Sequence, residues 1–203
     1  MNDTCSTRQK LLETAGEVFA ERGFHGATIR DICEKAGANI AAINYHFGDK
    51  ERLYSEVFKY ILEVDCQINP DSYKNCDDPK ESLKLYIEIK IKKMLLPGKF
   101  SWKGTLMARE MVDPSPVLDE VVQNGIKPMA YDLYEIISNI INKPVDSKEV
   151  HLCGASVIGQ IFFHKHGLEI NKRLHPYINY DEESIKRLAE HIYKFSLSAL
   201  LGM

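Results

Sequence analysis

Between Thr28 and Lys50 the chain reads TIRDICEKAGANIAAINYHFGDK, and this run constrains the fold more than any other. Thr28 stands before the apolar series Ile29, Ile32, Cys33 and Ala36, with Asp31 three residues on. Side chains at that spacing can satisfy the orphan N–H groups of a starting helix reciprocally, as a capping box. Gly37 is then a natural stop, because the left-handed residue just past a helix is cheapest as glycine. Asn39 can cap a second, short helix, in which Ile40, Ile43 and Phe47 are expected to share one apolar face. Two short helices joined at a glycine corner make a helix-turn-helix.

The residues left facing outward carry the chemistry. At about 100° per residue, Ala41, Ala42, Tyr45 and His46 should point away from the apolar face, with Asn44 on its shoulder. Small alanines let a helix approach base edges and touch a thymine methyl. Tyr45, His46 and Lys50 offer donors to phosphate oxygens, which set register without reading sequence. A hydroxyl at a helix start, such as Thr28, is also well placed for a phosphate. Asn44 has two readings: a base contact to adenine, or a hydrogen bond at the edge of the core. His46 likewise divides between a phosphate contact and a local bond near the helix end, and Tyr45 between phosphate and packing. The expected DNA-contacting set is Thr28, Arg30, Asn39, Ala41, Ala42, Asn44, Tyr45, His46 and Lys50.

This segment strongly resembles the DNA-binding domain of the TetR family of bacterial repressors. The likeness begins with a first helix around Thr7 to Arg22 and continues through FAERGFHGATIRDI, residues 19–32. The family usually carries an aromatic where this chain has Asn44, and Ser or Thr where it has Asn39. The resemblance implies a DNA-binding domain over residues 1–50 and a helical ligand-binding and dimerisation domain over 51–203. It also implies a regulator that binds a palindromic operator and is released by a small molecule. The alternative is a helix-turn-helix DNA-binding or architectural protein without small-molecule control.

Charge alone would not suggest nucleic acid. The net charge is -3, and residues 1–55 hold seven Lys or Arg against eight Asp or Glu. A basic footprint is the usual electrostatic sign of nucleic-acid binding, so the assignment rests on the motif, with positive charge expected at Arg8, Arg30, Lys35 and Lys50. The five cysteines (5, 33, 66, 76 and 153) show no Cys-x-x-Cys spacing, and neither a disulfide framework nor a zinc site is indicated. The start, MNDTCSTRQK, lacks the apolar stretch of a signal peptide, and no apolar run is long enough to span a bilayer. A cytoplasmic protein without cofactor or membrane partner is expected.

Helical periodicity continues almost to the end, predicting an all-α fold. A fourth helix should start after Gly48 with Asp49 as cap and run over 50–68, a natural transmitter between the two domains. A turn-rich loop at 69–79 precedes expected helices near 80–95, 101–112, 116–142, 147–167 and 182–201. Pro128, inside the long 116–142 segment, removes a ladder bond and clashes with the preceding turn, so a kink or break is expected near 124–127. The helix at 147–167 is apolar nearly all round and must be buried on every side. With the apolar series Ile185, Leu188, Ala189, Ile192 and Phe195, it predicts a homodimer through 147–167 and 182–201, with Ile161 and Phe162 as interface residues. In the TetR family the last two helices form a four-helix dimer interface.

Residues 102–141 resemble the C-terminal regulatory domain of the CecR-like branch of TetR regulators, chiefly through MAREMVDPSPVLDE. The resemblance implies an inducer-binding, dimerising domain. Arg109 and Glu110 are adjacent and cannot share a helix face; one could turn toward a pocket, or the pair could be solvated or cap a neighbouring helix. A small hydrophobic ligand is expected in a cavity lined by Trp102, Met107, Tyr131, Tyr134 and Phe162.

Enzymatic readings lack support in the residues. A di-iron helical protein needs Glu-x-x-His pairs, and none of the seven histidines has Glu three residues before it. Gly154-Ala155-Ser156-Val157-Ile158 starts like a nucleophile elbow but has Ile158 where the second glycine belongs. No phosphate-cradling glycine loop appears. No catalytic or metal-binding residue is assigned.

Overall fold

The computed structural model describes residues 2–67, 72–96, 102–177 and 179–203, and among these every regular element is helical. In chain order they are α1 (Asn2–Gly26), α2 (Ile29–Ala36), α3 (Ile40–His46), α4 (Lys50–Gln67), α5 (Pro79–Leu95), α6 (Trp102–Val112) and α7 (Leu118–Val121). A π-helical turn over Val122–Ile126 leads into α8 (Lys127–Ile141), followed by α9 (Lys148–His166), α10 (Leu168–Leu174) and α11 (Glu182–Leu201).

The local signals act as the sequence suggests. Thr28 Oγ1 accepts from the Asp31 N–H at 3.1 Å while Asp31 Oδ2 accepts from the Thr28 N–H at 3.0 Å, closing the capping box. Gly37 adopts φ 64°, and its N–H returns to the carbonyls of Cys33 and Glu34. Asn39 Oδ1 caps α3 through the Ala42 N–H at 2.8 Å, and Asp49 Oδ1 caps α4 through the Arg52 N–H at 2.8 Å. Near Pro128 the expected break is absent, and the disturbance takes another form. The helix is not broken; the Lys127 N–H reaches back five residues to the Val122 carbonyl. A π-turn of this kind absorbs the lost ladder bond at a proline without ending the helix.

The chain divides into two compact units. The first combines residues 1–68 with 100–127, and the second combines 69–99 with 128–203. The unit holding the helix-turn-helix therefore extends well past residue 50: α4, expected as the transmitter between domains, lies within it, and so does α6. Its core stacks Phe19, Phe24, Tyr54 and Phe58, with Phe19 edge-on to Tyr54 at 4.7 Å between ring centroids. Rings of that size each contribute roughly 1.5–3 kcal/mol on burial, with edge-to-face contacts adding to it. α1 is longer than expected and kinks at Gly23, whose φ of 73° and ψ of 171° suit only glycine.

In the second unit, α5, α8, α9 and α11 enclose Leu83, Ile87, Ile91, Leu133, Ile137, Val157, Ile161, Ile185 and Ile192. Gly154 lets one edge of the Tyr134 ring press against α9, since a Cβ there would overlap the ring. The short α10 has no counterpart in the sequence reading. Ile161 is wholly buried in its own protomer, so it is a core residue and not the interface residue expected.

Candidate nucleic-acid interface

α3 presents the surface on which function turns. Ile43 and Phe47 are buried, Ala42 packs in part on the same core, and Asn39, Ile40, Ala41, Asn44 and Tyr45 face solvent. The expected face is thus rotated. Ile40, expected inside, is 50% exposed, while Ala42 and His46, expected outside, are half-buried. Placing Ile40 inside set the expected face; it stands in the first turn of a seven-residue helix and lies outside the core that buries Ile43, while Phe47, with φ -130° and ψ -22°, has left the helix and reaches that core from beyond its end. The missed residue is Ile40, and its signal was the brevity of the helix.

The outward set is chemically mixed. Tyr45 is 80% exposed, a large aromatic with its ring edge-on to His46 at 5.1 Å. His46 lies between Tyr45 and Phe47, with 5.9 Å between the centroids of the last pair. Asn44 is exposed and its side chain makes no hydrogen bond among the described residues. That arrangement leaves its amide free to pair with a base edge. Thr28 Oγ1 is engaged with Asp31 Oδ2 at 2.6 Å as well as in the cap. The Thr28 hydroxyl holds the Asp31 carboxyl below its usual pKa, with Arg22 assisting.

The cations differ from expectation in their surroundings. Arg8 pairs with Glu56 and lies over Phe47, and Lys35 bridges Glu17 at 3.2 Å and Glu21 at 2.9 Å. Arg30 pairs with Glu34 one turn on, at 3.0 Å. Lys50 sits 4.4 Å above the Phe24 ring, and partial burial lowers its ammonium's pKa. Exposed pairs of this kind contribute little to stability and exchange readily for another anion. The surface is therefore close to electrically balanced, and the neutral donors of α3 stand out on it.

The residues expected to line a ligand cavity fall into both units. Trp102 and Met107 pack on the first unit's core, and Trp102 borders a cleft of about 430 Å³ with Glu17, Glu21, Thr105 and Arg109. In the second unit, Tyr134 covers Gly154 and lies 4.6 Å from the His151 ring, and Tyr131 donates to Asp146 at 2.6 Å. Phe162 stacks on His166 at 5.5 Å. No helix of the described residues is long and apolar enough to cross a membrane.

Comparison with known proteins adds to this geometry. Residues 11–57 match the model for bacterial regulatory proteins of the tetR family. Residues 79–200, more than half of the 203-residue chain, match the C-terminal domain of the HTH-type transcriptional dual regulator CecR. The HTH-type transcriptional repressor AcnR of Corynebacterium efficiens is 49% identical over 49 residues, covering 24% of this chain. The match thus spans only 26%, about a quarter, of that relative's length. Among solved structures, FadR from Bacillus subtilis in complex with stearoyl-CoA superposes with a TM-score of 0.72 at 18% identity, covering 94% of this chain and 97% of that one. AibR in complex with isovaleryl coenzyme A and operator DNA gives 0.70 at 15% identity, covering 93% and 97%. At such identities these two likenesses speak for the fold. The helix-turn-helix and the two family matches establish that this chain belongs to the TetR family of bacterial regulatory proteins and carries a CecR-type C-terminal domain.

Proposed function

We propose that the chain is a ligand-responsive repressor that binds a palindromic operator as a homodimer, with α3 of each protomer in a major groove. One observation carries the DNA reading: the α3 face of Ile40, Ala41, Asn44 and Tyr45 is turned to solvent although it contains an isoleucine and a tyrosine. A groove floor gives those side chains their partners, a thymine methyl for Ile40 or Ala41, an adenine edge for Asn44 and a phosphate for Tyr45. Thr28, Arg30, Asn39 and Lys50 lie at or near the starts of α2, α3 and α4, where backbone N–H groups favour anions. Ala42 and His46, half-buried, support the face more than they touch DNA.

Dimerisation is supported by apolar surplus on the last long helices. Leu152 and Phe163 of α9, and Phe195 and Leu201 of α11, are large and exposed in the single chain. Surfaces of that kind mark contacts between proteins, and a two-fold dimer would present two α3 helices to the two halves of a palindrome.

Ligand control is supported by two structural neighbours whose described complexes contain an acyl coenzyme A thioester. A ligand shifts the protein toward its non-binding state only through differential affinity for the two states, and operator DNA must then weaken ligand binding in return. Thermal unfolding with stearoyl-CoA and isovaleryl-CoA tests this reading. A bound native state should melt higher, by an amount that grows with ligand concentration. Identical melting in both compounds would remove the acyl-CoA class.

A further inference from the structure

The stretch MAREMVDPSPVLDE, residues 107–120, reaches α4 with two carboxylates that take hold of neighbouring residues. Tyr54 Oη donates to Glu110 Oε2 at 2.6 Å, and Ser55 Oγ donates to Glu120 Oε2 at 2.8 Å. Lys59, one turn along α4, also reaches Glu120 Oε1 at 3.3 Å. Glu110 is only 2% exposed, and its second oxygen accepts from the Ser115 N–H at 3.1 Å and the Ser115 hydroxyl at 2.7 Å. All three of its hydrogen-bond donors among the described residues are neutral. Arg109, next in the chain, turns instead to α1. Its Nε donates to the Ala20 carbonyl at 2.7 Å and its Nη2 to the Glu21 carbonyl at 2.8 Å, just before the kink at Gly23.

A carboxyl taken out of water and met only by neutral donors stabilises a fold less than a hydrocarbon of equal size would. Its geometry, however, is exacting, because each oxygen accepts along defined directions. Tyr54 and Ser55 are adjacent on α4, so their side chains leave it about 100° apart. The two carboxylates come from opposite sides of the turn at residues 113–116, which places a grip on two faces of one helix.

We propose that Glu110 and Glu120 are positioning residues that fix α4, and through it α3, in the orientation that reads DNA, while Arg109 fixes α1 in the same frame. This rests on the assignment of α3 as the reading helix. α4 starts at Lys50, with only three residues between it and the end of α3, so a rotation of α4 moves the reading face with it. The grip orients side chains that discriminate bases, whereas phosphate contacts tolerate small rotations.

The test uses the full chain and two DNA probes. One is a duplex selected by the wild-type protein from a library with a random centre; the other is a scrambled duplex of equal length and composition. Glu110→Ala, Tyr54→Phe and Glu120→Ala should each weaken binding to the selected duplex by about tenfold or more, the usual weight of a hydrogen bond to a charged group. Binding to the scrambled duplex should stay within about twofold, because non-specific affinity comes from phosphate charge. Tyr54→Phe combined with Glu110→Ala should be no weaker than Glu110→Ala alone, since both remove one interaction. Glu110→Gln, which keeps an acceptor for Tyr54, should recover part of the loss. If Glu110→Ala does not fold by circular dichroism, Tyr54→Phe and the surface change Glu120→Ala decide the matter. Folded variants that bind the selected duplex like wild type, or that lose both duplexes equally, overturn the proposal while leaving the DNA reading intact. A wild-type protein that selects no duplex overturns both.

Discussion

Trp102 of α6 lies across Gly16 of α1 so closely that any Cβ on that glycine would overlap the indole. This contact joins α6 to α1 at one end, and Arg109 joins them at the other through the carbonyls of Ala20 and Glu21. Seven residues separate the two anchors, about two turns of helix, so α6 is held along most of its length.

Because the chain has one tryptophan, that contact reports on itself. Gly16→Val should push the indole off α1, shift its emission to longer wavelength, and destabilise the protein by about 1–3 kcal/mol, as overpacking does. Fluorescence and thermal unfolding check this together. An unchanged emission maximum with unchanged melting would mean that the indole does not need the glycine.

On the reading helix, Asn44→Ala should erase preference at one base pair of each half-site, at about 1–3 kcal/mol per site. Ile40→Ala should weaken preference at a thymine by a smaller amount. Binding to single-substitution duplexes distinguishes these outcomes from uniform weakening, which would deny both residues a base contact. Lys50→Ala should lower affinity on all duplexes and flatten the dependence on salt, since a phosphate contact releases counterions. An unchanged slope would leave Lys50 as a cap for the Phe24 ring alone.

The caps, the glycine corner and the helical class were legible because they depend on neighbours two to four residues away. Thr28, Gly37, Asn39 and Asp49 each behave as their local chemistry dictates. Pro128 was legible as a disturbance, but its resolution into a π-turn depends on which carbonyl the Lys127 N–H can reach. The rotation of α3 was hidden because Ile40 is apolar yet stands in the first turn of a seven-residue helix, where packing alone decides its exposure. Glu110 could be placed on neither side, because whether a carboxylate is buried is decided by Tyr54 and Ser115 in space. Ile161 and Phe195 look alike in an apolar pattern; only packing sends one to the core and leaves the other outside.

That last distinction gives a paired test of the dimer. Phe195→Glu and Leu152→Glu, on exposed positions, should yield folded monomers, because an interface of the obligate kind does not accept a buried unpaired charge. Ile161→Glu should unfold the second unit instead, since that side chain has no exposure of its own. Light scattering with circular dichroism separates the two results. A folded dimer from Phe195→Glu together with Leu152→Glu would place the interface elsewhere.

Acid should weaken the second unit through His164. Burial holds its pKa below the ordinary 6.5, and the nearby His191 and His175 act in the same direction. Tyr180 Oη, at 3.3 Å from His164 Nδ1, supplies a neutral neighbour. Unfolding returns the imidazole to its ordinary pKa, so the unfolded chain binds more protons and stability falls as pH drops through 6.5 toward the folded value. His166, also lowered by burial and by Lys165, adds to the effect. Melting temperature should therefore fall between about pH 7.5 and 5.5, and fall less in His164→Gln, whose side chain does not titrate there. Equal slopes for wild type and variant would assign the acid sensitivity to other groups.

Hydroxyl-radical footprinting on the selected duplex bears most directly on the central claim, that the exposed face of α3 reads an operator within a dimer. Wild type should protect two blocks related as an inverted repeat, each facing a major groove, and Tyr45→Ala should lose both blocks while remaining a folded dimer. Protection without an inverted repeat, or a full footprint retained by Tyr45→Ala and Asn44→Ala together, would contradict the account.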